Sequence, residues 1–393
     1  MTFRVSSLIG STAPYAFAEV DKQVAALRAK GVRVIDFGVG DPREPTPPFV
    51  IDALKHGADT HAASGYPSYE GSPSFRRACA DYMHTTFGVT LDPDREIIAT
   101  IGSKEAVFHF PFGIIEPGDI VLCPTPGYPP YKTGTRFARG VPYFVPLLSE
   151  NDFLIDFEAI PQEIRMRARI LWTNYPNSPT GATASRSWLS ELHAWAQEND
   201  IIIAADEGCY IDLYSGDKPV SMLEVAREGV LAFYSLSKRN NMTGYRVGFC
   251  AGDERLVSAI RTVKTNADSG VPWFVQEAAI AALNDTEHIT SLRKDYAEKR
   301  RILTAALTKA GLPACTADAT FYLWQKAPSG MTGIDLSRKL LDLGIVVTPG
   351  EWISDTTENS INPGRDYVRF ALIASMDDIR ETERRLEEAL MLR

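Results

Sequence analysis

The chain has 393 residues, 45% hydrophobic and 23% charged, with a formal net charge of −9 at pH 7. That length exceeds what one ordinary core supports and predicts a large domain with a smaller one beside it, while the acidic balance and the lack of any Lys/Arg-rich block argue against a nucleic-acid partner. Five scattered cysteines and six histidines, with no Cys-x-x-Cys and no His-x-x-x-His, predict reduced thiols in a cytoplasm and no dedicated metal site; no apolar run of about 18 residues predicts a membrane span.

Residues 1–48, rich in proline and glycine near their end, are expected to pack with the smaller unit or with a partner subunit. Short apolar runs then alternate with helical stretches. Strands are predicted over 97–101, 120–123, 142–147, 170–174, 201–206, 230–234 and 245–249, with helices such as 104–115 and 186–199 between them. This is the pattern of an α/β domain whose mainly parallel sheet is covered on both faces. After 253 the pattern changes to a charge-rich helical stretch (294–310), strands over 319–326, 345–349 and 367–372, and helices over 334–343 and 376–390, which reads as a smaller α+β unit. The division is 1–48 as an N-terminal segment, 49–280 as a large cofactor-binding domain and 281–393 as a small C-terminal domain.

Lys238 sits in Ser235-Leu236-Ser237-Lys238, shortly before Thr243-Gly244-Tyr245-Arg246, between two strand-like runs. A Ser-x-x-Lys alone is usually an ordinary polar loop. Bracketed by buried strands, with two hydroxyls and an arginine nearby, the lysine suits attachment of an aldehyde cofactor beside an anion pocket. A cofactor such as pyridoxal phosphate also needs a phosphate cup, a ring platform and a carboxylate for its pyridine nitrogen. Gly102-Ser103-Lys104 follows a strand and opens a helix, where backbone N–H groups and the positive helix end face an anion. Ser235, Ser237 and Arg246 add donors. Tyr128, in Pro126-Gly127-Tyr128-Pro129-Pro130, lies just beyond a strand end, where open α/β sheets bind ligands. Asp206 ends an apolar strand, and its charge there is costly without a cationic partner such as a protonated ring nitrogen. Asn177 lies in a turn-forming run, 174–181, and is placed to reach the cofactor's phenolic oxygen. Arg369, within the apolar run 367–372, is expensive unless it faces a cleft and meets an acid.

The runs Ser235-Leu236-Ser237-Lys238, Met242-Thr243-Gly244-Tyr245-Arg246-Val247-Gly248, Asn174-Tyr175-Pro176-Asn177-Ser178-Pro179-Thr180-Gly181 and Tyr367-Val368-Arg369-Phe370 together resemble the class I/II pyridoxal-phosphate-dependent aminotransferases of fold type I. Further runs, among them Pro14-Tyr15-Ala16-Phe17, Tyr66-Pro67-Ser68-Tyr69-Glu70-Gly71 and Lys264-Thr265-Asn266-Ala267-Asp268, look like the LL-diaminopimelate aminotransferases; 209–214 is also similar to the N-succinyldiaminopimelate aminotransferases. The resemblance implies a seven-stranded, mainly parallel sheet in the large domain, pyridoxal 5'-phosphate on Lys238, and amino-group transfer between an amino acid and 2-oxoglutarate in lysine biosynthesis. It implies Tyr128 stacked on the ring, Asp206 on the ring nitrogen, Asn177 on its oxygen, and Ser103, Lys104, Ser235, Ser237 and Arg246 around the phosphate. Tyr15, Gly40, Asn177 and Arg369 would receive substrate. Tyr66 and Asn266 would reach across a homodimer interface, Tyr66 to the neighbouring cofactor and Asn266 to the neighbouring substrate.

One departure stands out. The family usually places a tyrosine three residues after the ring-nitrogen aspartate, where this chain has Cys209 and then Tyr210. Either Gly208 is a local insertion or the hydrogen bond of Tyr210 to the cofactor is made differently. The alternatives at this stage are the succinylated substrate, an aspartate or aromatic amino acid, and a β-lyase built on the same cofactor.

Overall fold

The computed structural model describes residues 4–10, 18–315 and 317–389. Twelve strands are present among them: β1 (Ile35–Asp36), β2 (Ile97–Thr100), β3 (Ile120–Thr125), β4 (Val141–Pro146), β5 (Ala168–Thr173), β6 (Ile202–Gly208), β7 (Val230–Ser235), β8 (Gly248–Gly252), β9 (Tyr322–Lys326), β10 (Ile345–Val346), β11 (Thr348–Pro349) and β12 (Tyr367–Ala371). Seven of them form one sheet in the order β2-β8-β7-β6-β5-β3-β4. Only β8 runs against the rest, pairing antiparallel with both β2 and β7.

The central strands are buried along their whole length, as sheets covered on both faces require. Alternation then sorts side chains to two clusters. Ile203, Ala205, Val230, Ala232 and Tyr234 face one way with the helices Pro73–Phe87 and Arg186–Glu198. Ala204, Leu231, Phe233, Trp172 and Tyr131 face the other with the helices Gly102–His109 and Glu254–Ala267. A third cluster joins Ile35 and Phe37 to Leu303, Phe321, Leu323, Leu336, Val368 and Phe370. Here β1 pairs in parallel with β10, so the end of the N-terminal segment packs on the C-terminal unit.

Four expectations are corrected in detail. The strand predicted over 245–249 begins at Gly248, because Thr243–Tyr245 is a 3-10 turn and Arg246 takes a left-handed conformation (φ 55°). The helix predicted over 104–115 is Gly102–His109 and a 3-10 turn Phe110–Gly113, since Pro111 cannot donate to a continuing helix. The strand predicted over 319–326 starts at Tyr322 because Thr320 is left-handed (φ 64°). The strand predicted over 345–349 divides in two, β10 serving β1 and β11 serving β12.

Strand β6 carries an irregularity that matters for function. Ala205 pairs with Ala232 but Gly208 pairs with Tyr234, so three residue steps on β6 match two on β7. Asp206 and Glu207 continue the alternation of Ala204 and Ala205 onto opposite faces, and the bulge needs glycine at its end, where a Cβ would collide with the Tyr234 backbone and ring. Gly208→Ala should therefore destabilise the fold by about 1–3 kcal/mol. The check is a lowered urea midpoint at constant m; an unchanged midpoint would mean that the bulge accepts a side chain.

Candidate active site

Because β8 is antiparallel to both β2 and β7, six strands present their carboxyl ends at the same edge of the sheet, where open α/β sheets form clefts. A cavity of about 360 Å³ lies there. The loops after β2, β3, β5, β6 and β7 line it, together with Gly40 from the N-terminal segment and Tyr322 and Arg369 from the C-terminal unit.

Lys238 reaches this cleft from the short helix Leu236–Arg239 directly after β7. Its Nζ donates to the Gly40 carbonyl at 2.7 Å. The next residue points into the core: Arg239 donates to Asp212 Oδ2 at 2.9 Å, to the Ala282 carbonyl and to the Asp285 carbonyl at 2.9 Å. This buried pair fixes the backbone from which the lysine projects.

On one side of Lys238 is a cup of hydroxyls and cations. Gly102 is left-handed (φ 69°), and a Cβ there would strike the Arg246 guanidinium, so the close approach requires glycine. Ser103 lies buried in the first turn of the helix Gly102–His109. Arg246 Nη1 donates to Ser237 Oγ at 3.3 Å and to the Thr243 carbonyl at 2.9 Å; the Ser237 amide donates to Ser235 Oγ at 3.2 Å. Lys104 lies at the exposed rim.

Opposite lies Asp206, 4% exposed. Its Oδ2 accepts from the Tyr131 hydroxyl at 2.6 Å, and Oδ1 has no hydrogen-bond partner among the described residues. Burial pushes the carboxyl up to about 6, against the pull of the Tyr131 hydroxyl. Glu207 contrasts with it. On the far face, Glu207 accepts from Ser221 Oγ, from the Tyr234 hydroxyl at 2.6 Å and from the Met222 amide at 2.9 Å. Burial raises it to about 7, but its oxygens are satisfied within the core. Of two adjacent buried carboxylates, only Asp206 offers an unbonded oxygen beside the cleft.

Tyr128 is 38% exposed at the cleft wall, edge-on to Tyr131 with centroids 5.9 Å apart. Asn177 is buried, and its Oδ1 accepts from the Thr180 amide (3.2 Å) and hydroxyl (2.7 Å). The cleft-lining members of that run are Asn174, Ser178 and Pro179. Asn174 Nδ2 donates to the Asp206 carbonyl, bracing the bulge.

Tyr210 lines the cleft with its hydroxyl turned to Tyr322 at 3.4 Å, and Cys209 stands beside the cup with Sγ 3.4 Å from Ser103 Oγ. The bulge accounts for both positions, because one extra residue after Asp206 carries the tyrosine on toward the C-terminal unit. Burial raises both groups, Cys209 to about 11. Arg369, from β12, donates to the Gly38 carbonyl at 2.8 Å with its guanidinium 4.6 Å over the Tyr322 ring. Gly40 must lack a side chain, since a Cβ would overlap the Tyr322 hydroxyl. Ile353 completes the wall. Its segment is tied down at Asp355, whose amide donates to Thr125 Oγ1 at 2.7 Å and whose carboxylate meets Lys132 at 2.5 Å.

Tyr66 is 84% exposed and Asn266 is exposed with its amide on the Thr262 carbonyl at 2.8 Å; neither lines this cleft. Tyr15 lies outside the described residues. Tyr131, Asn174, Thr243, Tyr322 and Ile353 also line the cleft, though no sequence pattern marks them as site residues. Tyr131 lies in the first turn of the helix Pro129–Phe137, which Tyr128 precedes as its N-cap residue.

The raised Asp206 carboxyl has a consequence for stability. Its neutral form favours folding, so that stability is full below the unfolded value near about pH 4 and is lost as pH rises through about 6. Cofactor-free Asp206→Asn should escape this loss and exceed the wild type at pH 7.5 by on the order of 2–3 kcal/mol, with little difference at pH 4. Urea unfolding at the two pH values decides it; a less stable variant at pH 7.5 would show that the carboxylate is satisfied inside the protein.

The family model for aminotransferase class I and II matches residues 32–379. The chain is 43% identical to an LL-diaminopimelate aminotransferase of Aquifex aeolicus, covering 98% of this chain and 99% of that one. It is 40% identical to an LL-diaminopimelate aminotransferase 2 of Trichormus variabilis, with 96% of each chain covered. Among solved structures, a single mutant of the Thermus thermophilus aspartate aminotransferase superposes with a TM-score of 0.89 at 27% identity, over 98% of this chain and 100% of that one. A cleft joining a lysine, a buried carboxylate with one oxygen unbonded among the described residues, a hydroxyl-rich cationic cup and a buried arginine thus sits in a chain whose length the family model nearly fills, and the chain belongs to the class I and II aminotransferases.

Proposed function

We propose that the protein binds pyridoxal 5'-phosphate and moves an amino group between LL-diaminopimelate and 2-oxoglutarate, in lysine biosynthesis. The observation that carries the cofactor reading is Asp206 Oδ1, a buried oxygen without a partner among the described residues, in the cleft that holds Lys238. A protonated ring nitrogen is the cation this atom lacks. Ser103, Ser235, Ser237, Thr243 and Arg246 suit a phosphate, Tyr128 suits the ring face, and Asn174 and Ser178, which line the cleft, suit its polar edge. When bound, pyridoxal phosphate supplies the electron sink for the bond broken at the substrate's α-carbon.

The chain's own residues do the rest. Arg369, whose guanidinium reaches the cleft from the C-terminal unit, takes the substrate α-carboxylate in a forked geometry. Lys238, held meanwhile by a neutral carbonyl, is placed to carry a proton from the substrate α-carbon. Asp206 keeps its charge against the ring nitrogen. The preference for diaminopimelate rests on the near full-length relatives of that name. We further infer a homodimer in which Tyr66 and Asn266 serve the neighbouring site, and a cytoplasmic location with all five thiols reduced.

Purified protein assayed with 2-oxoglutarate should form glutamate fastest from LL-diaminopimelate, measured against N-succinyl-LL-diaminopimelate, aspartate and tyrosine. A preference for any of the other three would reassign the substrate, and ammonia with pyruvate in place of glutamate would reassign the reaction to elimination. Lys238→Ala should lower turnover by more than about 10⁴-fold while remaining folded. Arg369→Ala should cut kcat/KM by about 10²–10³-fold, the range for unpairing a buried charge.

A further inference from the structure

We propose that Tyr131 is the positioning residue for Asp206: its hydroxyl, held by a ring stacked on Trp172, ties up Oδ2 and so fixes Oδ1 as the atom that meets the cofactor's ring nitrogen. This rests on the cofactor reading above. Asp206 and Tyr131 belong to different elements, the bulge of β6 and the first turn of the helix Pro129–Phe137, and their hydrogen bond is 2.6 Å. Tyr131 is 1% exposed, and its ring lies 4.7 Å from that of Trp172 at an interplanar angle of 14°. Trp172, fully buried, is packed in turn against Phe110 and Phe233. The phenol therefore has one place to point.

The arrangement does two things. Geometrically, a carboxylate on a bulge has a free rotation about its last bond, and a single strong donor on one oxygen removes it. Electrostatically, the hydroxyl favours the charged form of a group whose burial opposes charge. The titratable groups around Asp206 are Tyr131 and Tyr128 from the β3 side, Cys209 further along its own strand, Lys238 after β7, and Cys250 of β8. Burial raises Tyr131, Cys209 and Cys250, so these three stay neutral near pH 7 and Tyr131 keeps its proton to donate.

Tyr131→Phe removes the donor and leaves the stacked ring. In cofactor-free protein, the protonation midpoint of Asp206, read as the infrared carboxylate band lost in Asp206→Asn, should rise in Tyr131→Phe by about one pH unit or more. In the loaded protein, the dissociation constant for pyridoxal phosphate at pH 7.5 should weaken by about tenfold or more, with affinity lost at a higher pH than in the wild type on acidification. An unmoved midpoint with unchanged affinity, even with a lowered melting temperature, would reduce Tyr131 to a packing residue and overturn the proposal. The two readings fail separately: a wild type that binds no pyridoxal phosphate sinks the cofactor assignment, whereas the midpoint in the cofactor-free protein still decides the link between Tyr131 and Asp206.

Discussion

An acid buried with one oxygen unsatisfied is a cost that a folded chain rarely carries without a use. Asp206 is such a group, and much of the surrounding architecture exists to hold it there. Alternation along β6 sets it on the face of Ala204, Gly208 lets the bulge close against Tyr234, Asn174 braces its backbone carbonyl, and Tyr131 occupies its other oxygen. Glu207, its neighbour, shows what the same strand does with a carboxylate meant for the interior, surrounding it with three donors. The difference between one donor and three separates a functional acid from a structural one.

The sheet makes this arrangement possible. Parallel strands bring their carboxyl ends to one edge, so loops distant in sequence, after β2, β3, β5, β6 and β7, converge there. The single reversed strand, β8, begins where the others end, and that is why Arg246, just before it, joins the same cup. Its left-handed backbone is the local strain that this junction requires.

Much of this was legible in the sequence because the features were local. Continuous apolar runs marked the buried strands, and Lys238, Asp206, Ser103, Arg246 and Arg369 stood out as polar residues at the ends of such runs or within them. What escaped was set by register and by contacts between distant segments. The shift from Cys209 to Tyr210 was visible as spacing, but only the pairing of β6 with β7 shows an extra residue taken up as a bulge. Asn177 and Asn174 look alike in a turn-forming run; the hydrogen bonds to Thr180 and to the Asp206 carbonyl tell them apart. Tyr322 acquires its place from Gly40 and Arg369, which lie 282 residues before it and 47 after it in the chain.

The run Gly38-Val39-Gly40 connects the two halves of the site. The Gly38 carbonyl accepts from Arg369 and, at 2.7 Å, from Thr348 Oγ1; the Gly40 carbonyl accepts from Lys238. One short segment thus accepts from two cations, Arg369 of the C-terminal unit and Lys238 after the last parallel strand. A neutral carbonyl is a weaker partner for a cation than a carboxylate is, so the Gly40 contact holds Lys238 in position while leaving it ready to exchange.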